Sequence, residues 1–204
     1  MINSDQALNL ETLPKTMTVV GGGYIGIEMA CIFAGFGVDV HYVYRGEVPL
    51  RGFDRECAQF VVDQLAHRRN LTLHPLSTPN SVTAEGELKT LHFAEGHSVS
   101  SEVILCAAGR RPFTAGLGLE TAGIQTKDQS GAIIVDEYSR TACPSIYAVG
   151  DVTDRVNLTP VALMEGGAVA ATLFKDGGTP TKPDYHAIPS AVFSNPELVR
   201  HYTI

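Results

Sequence analysis

Three glycines near the start of the chain have a spacing that could hold a phosphate group. Gly21, Gly23 and Gly26 form the pattern G-x-G-x-x-G directly after the apolar run at residues 17–20. In this pattern the first glycine allows a tight turn, the second lets the backbone approach a pyrophosphate, and the third lets a helix pack closely on a strand. A helix that begins here would point its N–H groups and its positive end at the phosphates. We therefore predict a dinucleotide site at this loop, rather than a purely structural turn.

Two arginines follow the next predicted strand, residues 38–43. A protein that binds NAD places Asp or Glu at the end of this strand, where the carboxylate binds the ribose hydroxyls. Here the position holds Tyr44, with Arg45 directly behind it and Arg51 six residues further on. A guanidinium group can hold a 2′-phosphate with paired, charge-assisted hydrogen bonds. The absent acid favours NADP(H), whereas two solvated loop arginines are the alternative interpretation.

A third candidate residue, Asp151, lies in the second half of the chain, where residues 133–136 and 143–151 are predicted strands. An acid just past the carboxyl end of a buried strand commonly binds a sugar or ribitol hydroxyl, and the alternative is an Asp that caps a turn. A small-residue helix follows, with Thr159 as a suitable N-cap and Pro160 as a suitable first residue. Such a helix start could also present its N–H groups to a ring oxygen.

The elements that must position these residues alternate between helix and strand patterns. The helix behind the glycines has an apolar stripe at Ile25, Met29, Ile32, Phe33 and Phe36. A second helix opens near Asp54, and residues 71–74 read as the next strand. Residues 87–93 and 98–101 have the alternation of an antiparallel meander, and residues 103–109 that of a buried parallel strand. The predicted fold class is α/β, a Rossmann-like nucleotide-binding domain with a small antiparallel meander.

Composition limits the classes of function. The 204 residues are 44% hydrophobic, which is sufficient for a sizeable core, and 15 Lys and Arg against 22 Asp and Glu give a formal net charge of −7. An acidic chain argues against a nucleic-acid partner. No apolar run approaches the ~20 residues that a membrane-spanning helix needs. We therefore expect neither nucleic acid nor membrane as a partner.

The four cysteines stand apart in the sequence, at Cys31, Cys57, Cys106 and Cys143. No two of them are close enough to suggest a metal site or a local redox disulfide. The first three lie in apolar helix or strand patterns and are expected to be buried structural thiols. This usage suits a reducing compartment, and no metal site is predicted.

Taken in this order, the motifs resemble the flavin-dependent disulfide reductases, above all their glutathione reductase branch. The resemblance runs from about residue 13 to residue 197. The stretches that carry it are GGGYIGIE at 21–28, Tyr44-Arg45 with LRGFD at 50–54, AAGRRP at 107–112, TACPSIYAVGD at 141–151, and LTPVA at 158–162.

The resemblance implies NADPH and FAD as cofactors, glutathione disulfide as substrate and a homodimer in the full-length form. Hydride would pass from NADPH to FAD, then to a protein disulfide and finally to glutathione disulfide. Tyr24 would shield the flavin until nicotinamide displaces its ring, and Glu28 would lie near the nicotinamide and pair with a lysine beside the flavin. The implied NADP contacts are Gly21, Gly23, Tyr24, Ile25, Gly26, Glu28, Arg45, Arg51 and Gly109, and the implied FAD contacts are Asp151, Leu158 and Thr159.

The sequence also departs from the family pattern. It contains neither the first FAD unit with its Cys-x-x-x-x-Cys pair nor the final His-Glu pair. We therefore expect a partial chain with a lead-in at 1–13, an NADPH-binding domain at 14–112, a returning segment of the FAD-binding domain at 113–183 and a stub of the interface domain at 184–204. The alternatives are a truncated fragment that binds NADPH without catalysis, or a reductase of the thioredoxin, trypanothione or dihydrolipoamide type. The expected location is the cytoplasm, or an organelle if a targeting peptide precedes the fragment.

Overall fold

The computed structural model describes residues 1–175 and 179–200, and the chain divides into two compact units. The first unit contains Met1–Gly109 and takes up the chain again from Pro189, and the second contains Arg110–Ile188. Residues 176–178 and 201–204 lie outside the described part, and with them parts of the predicted returning segment and interface stub. No helix among the described residues is long and apolar enough to cross a membrane.

The first unit is built on a four-stranded parallel sheet. Its strands are β1 Thr16–Val20, β2 Asp39–Val43, β3 Leu71–His74 and β7 Val103–Cys106. Their order across the sheet is β3-β2-β1-β7. The helices of the unit are α1 Ser4–Leu8, α2 Tyr24–Gly35 and α3 Arg55–Ala66. Strand β1 is central and pairs with both β2 and β7, so the loop that follows it lies at the carboxyl edge of the sheet. The predicted α/β fold with a parallel sheet is confirmed.

A second sheet in the first unit is antiparallel. Its strands are β4 Pro79–Glu85, β5 Leu88–Phe93 and β6 Ser98–Ser101, and they lie in the order β4-β5-β6. Leu91, Phe93 and Val99 of this sheet are buried in one cluster with Val43 and Ile104 of the parallel sheet. The predicted meander is confirmed, with one more strand at its start. A short hairpin of β8 Ser190–Val192 and β9 Leu198–Arg200 completes the unit.

The lead-in predicted at 1–13 carries regular structure. The Ile2 N–H donates to the Ile104 carbonyl at 2.8 Å, and the Cys106 N–H donates to the Ile2 carbonyl at 2.8 Å. These two bonds place the start of the chain on the outer edge of β7. Asn3 then caps α1 by accepting from the Gln6 N–H.

The apolar stripe predicted for α2 is only partly correct. Met29 and Phe33 are buried, but Ile32 and Phe36 are 43% and 66% exposed. The helix instead buries small residues such as Ala30 and Ala34. Small side chains let the helix backbone lie close to the sheet, so the buried face is set by that close approach and not by the largest apolar residues.

The second unit has little regular structure among its described residues. Both strands predicted there are wrong: residues 133–136 contribute one isolated bridge, Thr126 with Ile133, and residues 143–151 contribute one, Arg140 with Tyr147. A strand needs a continuous row of hydrogen-bond partners on a neighbouring strand. Within the described part, these apolar segments meet partners only at single points, so apolar character alone did not make them strands.

The helix of the second unit, α4 Thr159–Phe174, begins one residue earlier than predicted. Leu158 is its N-cap and makes no side-chain cap hydrogen bond, whereas Thr159 is already helical. The predicted Thr159 cap is therefore wrong. A proline is accommodated in the first turn because the N–H it lacks has no intrahelical partner there.

The prediction of three buried thiols holds for one of them. Cys31 is buried on α2, and its burial raises the pKa of the thiol. Cys57 and Cys106 are exposed and Cys143 is partly exposed. Cys57 lies on the outer face of α3, and Cys106 is the last residue of β7, where the strand leaves the core.

Candidate functional site

The glycine loop joins β1 to α2 under tight steric constraint. Gly21 has φ +139°, and a Cβ on it would lie within 3.0 Å of the Ala107 carbonyl. A Cβ on Gly26 would lie equally close to the Gly21 carbonyl oxygen. The first and third glycines of the pattern are thus needed for close contacts inside the protein.

The middle glycine faces open space instead. A Cβ on Gly23 would meet nothing within 4 Å. Gly23 is also the N-cap of α2 and has no side chain with which to cap the first turn. The N–H groups at this end of α2 and the positive end of the helix dipole therefore face a region that is free for an anion. This arrangement fits the pyrophosphate of a dinucleotide.

The two arginines lie beside this loop in sequence and structure. Tyr44 directly follows β2 and is buried, whereas Arg45 and Arg51 are exposed. Within residues 1–175 and 179–200, neither guanidinium group has a hydrogen-bond or ion-pair partner. The nearby carboxylate of Glu47 is already paired with Arg55. Two cationic groups are thus available for an anionic ligand.

Sequence reasoning missed the turn that carries Arg51. Leu50 has φ +61° although it is not glycine, and its side chain is 3% exposed. Its N–H donates to the Gly22 carbonyl at 2.7 Å, and its own carbonyl accepts the Phe53 N–H at 3.0 Å. Such strained residues persist where the surroundings hold them in place. Because Leu50 directly precedes Arg51, the bond from Leu50 to Gly22 places Arg51 next to the glycine loop.

Tyr24 and Glu28 share one face of α2, because residues four apart on a helix are neighbours. Tyr24 is 39% exposed at the start of the helix. The Glu28 Oε1 atom accepts the Phe193 N–H at 2.9 Å, which ties α2 to the segment behind β8. The sequence did not indicate this partner, which comes from a residue far along the chain. Ile25 is half-buried between these two residues in sequence.

Gly109 is the last residue of the first stretch of the first unit and has φ +143° with open space around its Cβ position. An L-residue is strained in this conformation, which is why glycine suits the position.

The second unit places the predicted flavin contacts near the start of α4. Asp151 lies in the short 3-10 helix Gly150–Thr153, with a half-exposed side chain. Its Oδ2 atom is 3.9 Å from Arg110 Nη2, which is a weak, solvated ion pair. Leu158 and Thr159 open α4, so uncapped N–H groups are available there too.

Sequence reasoning also missed Glu165, whose side chain is 1% exposed in the middle of α4. A single acid inside an apolar helix pattern gives no signal that distinguishes it from a surface residue. Among the described residues, no group of three or more His, Cys, Asp or Glu could hold a metal ion.

The family model described as pyridine nucleotide-disulphide oxidoreductase matches residues 1–166. The chloroplastic/mitochondrial glutathione reductase of Pisum sativum is 49% identical over 97% of this chain and 35% of its own length. The trypanothione reductase of Trypanosoma congolense is 40% identical over 97% of this chain and 40% of its own length.

Among solved structures, the Cu(II) complex of the HOCl-induced flavoprotein disulfide reductase RclA from Escherichia coli superposes with a TM-score of 0.89. It is 30% identical and covers 98% of this chain and 44% of the RclA chain. The chain thus spans between 35% and 44% of the length of these proteins.

Proposed function

The chain belongs to the pyridine nucleotide-disulphide oxidoreductase family, and we propose that it is the NADPH-binding part of a glutathione-disulfide reductase. The observation that carries this proposal is the pair of exposed arginines, Arg45 and Arg51, which lie without partners in the described part beside an open glycine loop. Tyr44 stands where an NAD-binding protein has an acid, so no carboxylate at that position would repel a 2′-phosphate.

Different residues bind different parts of the nucleotide. The glycine loop and the α2 terminus hold the pyrophosphate, and the arginines hold the 2′-phosphate with charge-assisted hydrogen bonds. Tyr24, exposed at the first turn of α2, covers the place where the nicotinamide binds. Glu28 is held in position by the Phe193 N–H and marks the nicotinamide side of the site. When bound, NADPH would supply the hydride for the reduction of a flavin.

We further propose that the second unit supplies contacts to FAD. The Asp151 carboxylate, exposed and only weakly paired, accepts a ribitol hydroxyl. The open first turn of α4, at Leu158 and Thr159, directs its N–H groups at the flavin ring. Ile25 and Gly109 complete the NADP side as backbone contacts.

Glutathione disulfide as substrate and a homodimer as the assembled form are part of the same proposal. The substrate is supported by the 49% identity to the pea glutathione reductase, and the homodimer stays a prediction. The cytoplasm or an organelle as location stays a prediction.

A second candidate function is NADPH binding without disulfide reduction. The four cysteines favour it, because all are free and widely separated in sequence. A direct test is to supply the purified chain with NADPH, FAD and glutathione disulfide and to follow NADPH oxidation. Turnover by this chain would exclude the second candidate.

The NADPH proposal is tested by binding titrations with the variants Arg45→Ala and Arg51→Ala. Each should weaken NADPH binding by about 1.5–3 kcal/mol, the cost of a hydrogen bond to a charged group, and leave NADH unchanged. Arg69→Ala is the matched control. Arg69 is also an exposed arginine of the first unit, but it follows the end of α3 in the chain. Equal losses for NADPH and NADH would overturn the phosphate assignment.

A further inference from the structure

A buried carboxylate lies beside Asp151, and none of the sequence motifs accounts for it. Glu165 projects from α4 with 1% of its side chain exposed. A buried carboxylate is strongly unfavourable unless hydrogen bonds and an opposite charge compensate for the lost water. The partners of Glu165 therefore indicate why an acid is kept at this position.

Both carboxylate oxygens of Glu165 are fully engaged within the second unit. The Gly150 N–H donates to Oε2 at 2.6 Å, and the Tyr185 hydroxyl donates to Oε1 at 2.7 Å. Arg155 Nη2 lies 3.2 Å from Oε1 and supplies the opposite charge. Burial, together with the bond to Glu165, raises the pKa of Tyr185 to about 12, so this hydroxyl stays a donor.

The bond to Gly150 is the one that bears on the proposed flavin site. Gly150 has φ +72°, and a Cβ on it would lie 3.1 Å from the Ala162 Cβ, so its backbone is pressed against α4. Its carbonyl accepts the Thr153 hydroxyl at 2.8 Å. Both peptide groups that flank Gly150 are thus held, and the second of them is the amide that leads into Asp151.

Arg155 reinforces the same turn from the other side. Its side chain donates to the Ser139 hydroxyl at 2.9 Å and to the Thr153 hydroxyl at 3.2 Å. The Glu165–Arg155 pair is therefore bonded to both ends of the 3-10 helix that carries Asp151, at Gly150 and at Thr153.

We propose that Glu165 is a positioning residue for flavin binding: it holds the Gly150 N–H, and with it the turn that carries Asp151, so that the Asp151 carboxylate faces the ribitol. This inference rests on the proposed FAD contact of Asp151. A purely structural role, in which Glu165 only joins α4 to the segment of Tyr185, predicts a different pattern of effects.

The experiment uses the whole chain with the variants Glu165→Gln, Asp151→Asn and the double variant. Glu137→Gln is the matched control, since Glu137 is an exposed acid of the same unit that pairs with Lys182 at 2.7 Å. Tyr185→Phe removes the bond to the Tyr185 segment and leaves the bond to Gly150. The readouts are amide hydrogen exchange at Gly150 and the FAD dissociation constant from flavin fluorescence.

We expect Glu165→Gln to speed exchange at Gly150 and to weaken FAD binding about tenfold, because a charge-assisted bond becomes a neutral one. The double variant should bind FAD about as weakly as Asp151→Asn alone, since the two residues act through one contact. Tyr185→Phe and Glu137→Gln should leave FAD affinity unchanged.

Additive losses in the double variant, an unchanged Gly150 exchange rate, or an equal loss in Tyr185→Phe would overturn the positioning role alone. An Asp151→Asn chain that binds FAD like the unaltered chain would overturn the proposed flavin contact. An unaltered chain that does not bind FAD would overturn both.

Discussion

The substitution Gly21→Ala would test the steric basis of the nucleotide loop. A Cβ on Gly21 would lie within 3.0 Å of the Ala107 carbonyl, and the Ala107 N–H is itself bonded to the Val20 carbonyl at 2.7 Å. Ala107 therefore cannot move away without breaking this hydrogen bond, which lies at the carboxyl edge of the sheet. Alanine at φ +139° adds backbone strain of about 1–3 kcal/mol, and overpacking adds about 1–3 kcal/mol more. We expect a total loss of about 2–6 kcal/mol, a large part of the stability of a typical domain.

The assay is urea unfolding of the chain, followed by far-ultraviolet circular dichroism, with NADPH and NADH titrations on the same preparations. Gly35→Ala is the matched control, because Gly35 is helical and a Cβ there would meet nothing within 4 Å. Alanine should stabilise that position by up to about 1 kcal/mol. Gly21→Ala should also lose both nucleotides together, because the proposed pyrophosphate loop would hold the part that NADPH and NADH share.

If Gly21→Ala unfolds at the same urea concentration as the unaltered chain, the reasoning from close contact is refuted. Normal nucleotide binding in a destabilised Gly21→Ala chain would instead refute the assignment of the phosphates to this loop.

Two further predictions concern protonation and thiol exposure. Burial lowers the pKa of His41 and of His74, whose Nδ1 and Nε2 atoms are 3.0 Å apart. The unfolded chain then takes up protons first, near the ordinary pKa of about 6.5, so the free energy of unfolding should fall as the pH is lowered through that value towards the folded-state pKa. Ellman's reagent should label Cys57 and Cys106 in the folded chain, and Cys31 only after unfolding.

The two predictions have separate controls. His67→Gln removes an exposed histidine at the end of α3 and should leave the pH dependence intact, whereas His74→Gln should reduce it. A pH dependence that His74→Gln leaves untouched would contradict the role of the histidine pair. Rapid labelling of Cys31 under native conditions would contradict its burial, and thiol titration of Cys31→Ser identifies the slow group.

The patterns with a strong local cause were readable from the sequence. The glycine spacing at Gly21, Gly23 and Gly26 predicted the strand, turn and helix, because steric limits on backbone geometry act between near neighbours. The period of two in β5 and β6 predicted the meander, because successive side chains of a strand point to opposite faces of the sheet. The family itself was recognisable because its motifs are contiguous stretches of residues.

Apolar character alone was a poor guide wherever the neighbours of a segment decide its structure. Residues 143–151 look like a buried strand but find only isolated bridges among the described residues. Ile32 and Phe36 look like core residues but are exposed, because the helix approaches the sheet through smaller side chains. Burial depends on which face meets the sheet, and in α2 small residues such as Ala30 and Ala34 lie on that face.

The contacts that complete the candidate sites join residues far apart in the chain, so only the tertiary structure could reveal them. Glu28 meets the Phe193 amide, Leu50 is bonded to the Gly22 carbonyl, and Glu165 holds Gly150. A backbone donor or acceptor carries no side-chain signature, and any residue type can supply it. The sequence therefore determined which chemical groups are present and near which loops, and folding decided how those groups are held.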